Sequence, residues 1–503
     1  MMMILKSTFL WILCGILPIF GQQFSSDIII DQGTLGVKAV GTPVTAVDDR
    51  EIMAVSWETY LYDNPTWLIN YTYTTDNGET FEPTKTVDSI PDPNLDWSWD
   101  QSMIAFDYQN NPLVFYNSYW WPASYVHRVK KSLDGGDTFL PNFYSLTSYQ
   151  YMIDFIFDHA GIGHAALDDD DSSGIAIWQT TDGGISFSQK ALLNVNHFTP
   201  FHNISMVECG NGDLLCIWGG QDSSYYSTIL AARSTDGGIS YSAPTDLDTV
   251  TYAASSSSAA AYQNYVFVVY YGAGPNTTPK ILFIKSEDYG HTFSQPLVLY
   301  EFSNTPPSSH PWPYMQFNPN VGICAIWKDP TSVESILFTY SSDFGDSFSN
   351  VVSTTGGVYH ARGYKSLAVS DSGHVYVVSR TGHYTTGEKI VLNKARLPVI
   401  TGVTTTPKPL IEVFQLFQNF PNPFNSTTTI RFFLERKANV YLDIFDISGR
   451  RIRRLLSGIY TRGEHQVTWD GTNENNKYMS TGIYFYRIRV GQRQKVRKML
   501  LLE

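Results

Sequence analysis

Ser234-Thr235-Asp236-Gly237-Gly238-Ile239-Ser240-Tyr241 is one of six copies of a single pattern, Ser/Thr-x-Asp-x-Gly-x-Ser/Thr-aromatic. The others lie at Thr74–Phe81, Ser132–Phe139, Thr180–Phe187, Ser286–Phe293 and Ser341–Phe348. Their aspartates, Asp76, Asp134, Asp182, Asp236, Asp288 and Asp343, are spaced by 58, 48, 54, 52 and 55 residues. A near-regular period of this size marks a solenoid, propeller or array, in which each unit buries its apolar face against its neighbours. Within a copy, the Asp carboxylate can accept from backbone N–H groups just downstream, and the Gly supplies a positive φ. The closing aromatic then re-enters the core at the start of the next strand. These aspartates are expected to hold turns rather than to catalyse.

Working outward, each octapeptide is preceded by two strand-like runs around a tight turn. Ile104–Phe106 and Leu113–Tyr116 flank Asn110-Asn111; Ile204–Glu208 and Leu214–Trp218 flank Asn211-Gly212. Such hairpins, followed by one strand into the octapeptide and another out of it, give four antiparallel strands per repeat, which is one propeller blade. Hairpin turns near Asp49, Asn110, Ala160, Asn211, Asn264, Asn318 and Ser372 number seven, one more than the octapeptides. The last unit has no octapeptide and no fourth strand, while Asp27–Ile30 is an apolar run with no local partner. Placing that run on the outside of the last blade closes the ring and removes an exposed edge. The expected fold is all-β: a seven-bladed propeller over residues 24–400, with six blades as the alternative.

The octapeptides resemble the Asp-box (bacterial neuraminidase, or BNR) repeat of sialidase-like β-propellers, and every copy keeps the defining positions. That resemblance puts the boxes on a lower rim and ligands on the opposite, upper face. There the inter-blade loops carry Trp97, Trp99, Asp100, His197, His202, His310, Trp312, His360 and Arg362. Ends of second strands add Trp57, Trp120, Trp121, Trp218, Tyr270, Trp327 and Arg380. An aromatic-rich funnel of this kind suits sugar rings or peptide side chains. The candidate ligand contacts are Trp97, Trp99, Trp120, Trp121, His310, Trp312, Trp327, His360, Arg362 and Arg380.

Sialidases use three arginines to clamp the substrate carboxylate, a Tyr–Glu nucleophile pair and an Asp acid/base. Bidentate carboxylate recognition needs planar guanidinium forks. Between residues 24 and 400 the chain has only Arg50, Arg128, Arg233, Arg362, Arg380 and Arg396, of which Arg362 and Arg380 alone are well placed. The Arg-Ile-Pro signature is missing too, which argues against sialidase activity. Two readings stay open: a secreted, non-catalytic propeller that binds glycan or protein, and a glycan-active hydrolase with its own carboxylate pair. The acidic run Asp168-Asp169-Asp170-Asp171 could bind calcium but lacks the graded spacing of a calcium loop. No other cofactor is expected.

Lys6 followed by an apolar run from Phe9 to Phe20 reads as a secretory signal peptide over residues 1–21, too short for a membrane span. Cys209, Cys216 and Cys324 are expected to be small core hydrophobes, since an odd number cannot all pair and no metal-ligand spacing appears. Residues 1–408 hold 19 Lys/Arg and 39 Asp/Glu, net −20, whereas 409–503 hold 15 and 8, net +7. Two domains with different partners follow, and the acidic body excludes nucleic acid as its ligand.

Thr404-Thr405-Thr406-Pro407-Lys408-Pro409 has a linker composition, placing a linker at 401–413 and a separate module at 414–503. Alternation through Val440–Asp446 and Arg451–Leu456, with further runs at Gln466–Trp469, Tyr484–Val490 and Arg497–Leu502, predicts a small antiparallel sandwich. Phe417–Asn425, Phe445–Arg450, Trp469-Asp470-Gly471, Ser480–Tyr484 and Arg497-Lys498-Met499 resemble, in order, the type A C-terminal sorting domain of the type IX secretion system. That resemblance implies a Gram-negative source of the Bacteroidota or a related lineage. It also implies passage through the periplasm and the outer-membrane secretion machinery to the outer surface or the medium.

Overall fold

A computed structural model describes residues 23–32, 37–39, 43–61, 64–91, 102–107, 109–120, 124–141, 144–147, 152–169, 174–194, 204–221, 227–248, 254–272, 278–303, 311–329, 335–354, 365–383, 387–400, 414–416, 419–434, 438–447, 449–461, 463–490 and 493–502. The signal-peptide segment and the 401–413 linker lie outside the described residues. Every element described is a strand, and no described helix is long and apolar enough to cross a membrane.

Seven antiparallel sheets form the propeller, so the alternative of six blades is set aside. Blades 2 to 6 each take four consecutive strands, and blade 1 carries Val37–Ala39 as an addition to its four. Blade 7 is completed from the far end of the sequence. Ile28–Asp31 pairs antiparallel with Gly387–Arg396, Ile28 opposite Leu392, as its outermost strand. Phe24 extends this closure by packing edge-on to Phe338 of blade 6, with ring centroids 5.1 Å apart.

Seven hydrophobic clusters lie between successive blades and complete the ring. One register position recurs in them. Counting four residues along the second strand from the partner of the octapeptide's first residue gives Trp57, Tyr116, Trp218, Tyr270 and Trp327 in five blades. All five are fully buried. Trp327 packs among Phe283, Phe302, Met315 and Leu337 and tilts against Tyr300. This corrects the expectation that Trp327, with Trp57, Trp218 and Tyr270, faces a ligand; each instead fills the space between blades. Tyr116 and Tyr270 also reach out of the core to hydrogen-bond Asp88 (2.5 Å) and Asp248 (2.6 Å) of the preceding blade.

The octapeptides form the turns expected. In blade 4, Ser234 Oγ donates to Asp236 Oδ1 at 2.8 Å and accepts the Gly238 N–H at 2.8 Å. Asp236 also accepts the N–H groups of Ile239 (3.1 Å) and Ser240 (2.9 Å) and the Ser240 hydroxyl (2.5 Å). Gly238 has φ +83°, a conformation that disfavours side chains. Both hydroxyl bonds and the N–H bond from the residue four positions on recur at Asp76, Asp134, Asp182, Asp288 and Asp343, and the N–H three positions on joins them at Asp76, Asp182 and Asp288. Burial opposes ionisation of Asp236, but hydrogen bonds from Ser240 and Ser234 outweigh it and hold the carboxyl at about 2. Asp134 and Asp288 sit at about 2 for the same balance of causes, with Thr138 and Thr292 as the leading donors.

A further layer joins one turn to the next. The residue immediately before an octapeptide reaches the octapeptide of the following blade. Lys131 Nζ donates to the Gly183 carbonyl (2.5 Å), Gln179 Nε2 to that of Gly237 (2.7 Å) and Arg233 Nη2 to that of Tyr289 (2.7 Å). Tyr73 bonds Asp137 at 3.0 Å in the same way, and Lys285 pairs with Asp346.

The C-terminal module is a two-sheet sandwich. Phe414–Leu416, Thr428–Leu434 and Gly463–Trp469 form one sheet; Arg451–Tyr460, Ala438–Phe445, Gly482–Val490 and Arg493–Leu501 form the other. Its core is built on Trp469, Tyr486, Phe424 and Phe432. The three cysteines of the propeller are free and buried, as expected, and burial pushes Cys209 up to about 12.

Candidate functional site

The innermost strand of every blade runs from an inter-blade loop to the hairpin turn at the octapeptide end, so all seven line one central channel. A cavity of about 460 Å³ occupies it, bordered by residues of every blade. At its upper end a charged pair reaches across from blade 7 to blade 3, Lys365 Nζ lying 2.5 Å from Asp154 Oδ1. Asp154 is further held by the N–H groups of Phe155 (2.9 Å) and Met206 (2.8 Å). The Lys365 ammonium also touches Met103 Sδ of blade 2, and its carbonyl accepts the Thr45 N–H of blade 1 at 3.0 Å. Five blades therefore meet at these two residues, four through the ion-paired side chains and blade 1 through the Lys365 carbonyl.

Tyr314 borders the same space, its hydroxyl accepting from Gln316 at 3.3 Å. Burial pushes the Tyr314 hydroxyl well above its ordinary range, and the nearby Asp154 charge adds to this. Ser258 and Ser205 use their hydroxyls to accept the N–H groups of Met315 (3.1 Å) and Ala259 (3.2 Å) of the next blade. At the lower end Glu208 is engaged by His159, through both the imidazole and the backbone N–H at 2.7 Å.

Left-handed backbone occurs at non-glycine residues on both rims: Glu51, Asn77, Asn110, Gln263, Tyr289 and Phe344 lie at the turns of the octapeptide end, and three more lie at the upper mouth. Ser256, Trp312 and Lys365 open the first strands of blades 5, 6 and 7 with φ of 52°, 45° and 53°. None is a glycine, and such conformations are retained only where surrounding structure over-determines them. The first strands of blades 3 and 5 also bulge here, between Met152 and Asp154 and between Ser255 and Ser257. Bulges re-aim side chains next to sites.

Of the rim residues expected from the sequence, Trp312 is half-buried at this mouth. Arg380 is mostly buried in blade 7, 3.8 Å from Glu388 on the neighbouring strand. Trp120 ends the strand Pro112–Trp120, its side chain lying outside the description. Trp97, Trp99, Asp100, Trp121, His197, His202, His310, His360 and Arg362 lie outside the described residues. Asp168 and Asp169 end the strand Gly163–Asp169, while Asp170 and Asp171 fall outside the described residues.

Sequence reading missed Asp154, Lys365, Tyr314 and Glu208. A signal for Asp154 existed: it is a lone carboxylate within the apolar strand Met152–Phe157. A second cleft of about 520 Å³ lies at the octapeptide end between blades 4 and 5, bordered by Arg233, Ser240, Thr245 and His291. Its arginine is committed to Asp213 and to the Tyr289 carbonyl.

Residues 422–494 match the FlgD Ig-like domain family. No curated protein matches the chain in sequence. Among solved structures, a protein of unknown function from Dyadobacter fermentans is similar at 15% identity, over 75% of this chain and 100% of that one, with a TM-score of 0.44. An α-L-arabinanase from Penicillium chrysogenum, complexed with arabinobiose, is similar at 12% identity over 74% and 98%, TM-score 0.41. A Hadza microbial sialidase is similar at 11% identity over 74% and 68%, TM-score 0.38.

Proposed function

We propose that the chain is an exported binding propeller that takes a glycan or a surface peptide at the upper mouth of its central channel. The observation that carries this reading is the asymmetry of the ring. Its lower rim is built of repeated self-bonding turns, whose cleft between blades 4 and 5 has its arginine committed to Asp213 and Tyr289, whereas the channel's upper end sets the partly buried Lys365–Asp154 pair beside Tyr314. Trp312 supplies a flat apolar face, and Tyr314 with the Lys365–Asp154 pair supplies orienting polar groups. Screening the purified chain on glycan and peptide arrays tests this. Trp312→Ala should weaken whatever binds without lowering the melting temperature; unchanged affinity would remove the upper mouth as the site.

A glycan-active hydrolase is the second reading, favoured by one observation: Asp154 and Glu208 both border the channel. Release of reducing ends from a polysaccharide panel, abolished by Asp154→Asn, would establish it.

We further propose that residues 1–21 direct export to the periplasm and that the sandwich at 414–503 is a sorting module for the outer-membrane type IX machinery. The ordered motif resemblance and the charge contrast between −20 and +7 support this. Loss of residues 410–503 should leave a folded propeller in the periplasm, and its undiminished appearance in the medium would refute the sorting role.

A further inference from the structure

The outward face of the larger sandwich sheet carries mostly one sign of charge. Side chains alternate along a strand, and antiparallel register lines up those that share a face. Asp443 lies opposite Arg454 on one side and Arg487 on the other, Tyr441 opposite Arg489, and Phe445 opposite Arg451 and Phe485. Phe485 in turn lies opposite Lys498, and Arg487 opposite Val496. Arg454 and Arg489 flank the Tyr441 ring at 5.1 and 4.8 Å, and Arg487 covers Phe445 at 4.3 Å. Of the carboxylates that adjoin this face, Asp443 is buried and held by Arg454 (2.7 Å), Asp446 pairs with Arg450 (3.1 Å), and Glu474 accepts the Arg454 N–H (2.9 Å). Ile459 and Val496 stand among the cations, 68% and 52% exposed.

The propeller presents the complementary arrangement on its octapeptide rim. Leu133, Ile185 and Ile239 are 58%, 53% and 62% exposed on the octapeptides of blades 2, 3 and 4. Asp134, Asp182 and Asp236 stand exposed beside them. Hydroxyl and backbone N–H donors satisfy these carboxylates, so their charge is held without being neutralised. Basic groups of the same blades are engaged elsewhere: Lys131 by Asp107 and Gly183, Arg233 by Asp213 and Tyr289. Lys85 of blade 1 binds Asp137, and Lys190 is exposed on the outer strand Ser188–Asn194. The Lys131–Gly183 and Gln179–Gly237 bonds tie the three turns into one arc.

The chain also leaves the propeller at this rim. Leu397 N–H donates to the Gly373 carbonyl (2.8 Å) and Ile400 N–H to that of Asn320 (2.7 Å), both in hairpin turns of the octapeptide end. Residues 401–413 can span at most about 50 Å, which keeps the sandwich at a local concentration on the order of millimolar.

We propose that the outward face of the larger sandwich sheet docks in cis on the octapeptide arc of blades 2 to 4. Its arginines meet the ionised aspartates, while Ile459 and Val496 meet Leu133, Ile185 and Ile239. The net charges of −20 and +7 on the two parts of the chain favour this contact. It leaves the upper mouth of the channel open, and it does not depend on what recognises the sandwich.

Small-angle X-ray scattering of the purified full chain tests the docking. At about 50 mM salt the radius of gyration should lie near the roughly 23 Å of a compact chain of this length, and at about 1 M salt, where the Debye length is about 3 Å, it should rise by about 5 Å. Ile185→Lys/Ile239→Lys and Arg487→Glu/Arg489→Glu should each expand the chain at low salt, and the four changes together should restore compaction. The first pair decides the matter if the second unfolds, because the same octapeptide position holds Glu79, Asp137, His291 or Asp346 in other copies. His291→Lys/Asp346→Lys, at that position in blades 5 and 6, should stay compact. An expanded unmodified chain at low salt, a radius unmoved by salt, a compact Ile185→Lys/Ile239→Lys chain, or equal expansion of His291→Lys/Asp346→Lys would overturn the docking. Compaction that appears only as the scattering mass doubles would assign the contact to a second copy and overturn it in cis.

Discussion

Lys131 and Gly183 lie 52 residues apart in neighbouring blades, yet the lysine ammonium caps the glycine carbonyl at 2.5 Å. The same ammonium pairs with Asp107 at 2.8 Å, with both side chains almost wholly buried. Blade-to-blade adhesion on the lower rim is thus partly ionic and desolvated. Lys131→Met should cost about 3 kcal/mol, because it strands a buried carboxylate. Lys285→Met removes the corresponding link in blade 5, but its partner Asp346 is 71% exposed. Its cost should stay below about 1 kcal/mol. Urea midpoints of the two variants check the ranking, and equal values would show that burial does not set it.

Within one turn the serine matters more than the aspartate. Ser234 is buried and is the acceptor for the Gly238 N–H, whereas Asp236 is exposed and water can replace it at its backbone donors. Ser234→Ala should therefore cost about 1–3 kcal/mol and Asp236→Ala about 1 kcal/mol. Ligand binding by the folded fraction of either variant should be unchanged. A larger loss from Asp236→Ala, or loss of binding without loss of stability, would contradict the assignment of the lower rim to structure.

Acid should unfold the propeller through these turns. The folded carboxyls of Asp134, Asp236 and Asp288 sit at about 2, below the unfolded value near 3.8. A depressed pKa contributes stability that is present above the unfolded value and lost as pH falls toward the folded one. Melting temperature should be flat on this account above about pH 5 and fall between about pH 4 and pH 2. Asp236→Asn should shallow that slope. A slope unchanged by Asp236→Asn would show that other groups govern acid unfolding.

Much of this architecture was legible because its determinants are local. An octapeptide carries its own donors, acceptors and glycine, so six turns and the repeat could be read directly. The seventh blade followed from counting hairpins and from the unpaired strand at Ile28–Asp31. The funnel was less legible because strand-end position does not tell which face a side chain takes. Trp57, Trp218 and Trp327 occupy one register position that points between blades, a fact visible only once strands are paired. Lys365 and Asp154 meet across 211 residues, and no spacing in the sequence announces a contact of that kind.

That channel pair is open to a double-mutant cycle. Asp154 keeps the Phe155 and Met206 N–H donors without Lys365, but an unbalanced charge in a near-buried site is costly. Lys365→Met should destabilise by about 3 kcal/mol and Asp154→Asn by a similar amount. The double variant should cost less than the sum, with a coupling of at least about 1 kcal/mol. Additive losses would mean that the pair does not act as a unit.

The closure of the ring provides the last test. Ile28–Asp31 covers the strand Gly387–Arg396, Ser25 N–H donates to the Lys394 carbonyl at 2.8 Å, and Asn393 donates to Asp27 at 2.9 Å. Phe24 adds an apolar plug against blade 6. Removing residues 24–31 would strip a ten-residue strand of its outer partner, leaving unpaired backbone groups that template edge-to-edge association. The truncated chain should melt earlier and form soluble oligomers, read by light scattering. A synthetic peptide spanning residues 24–31, added in excess, should restore the monomer, since the site it fills is otherwise built. A truncated chain that stays monomeric with an unchanged melting temperature would show that blade 7 is stable with three strands and that the N-terminal strand is dispensable.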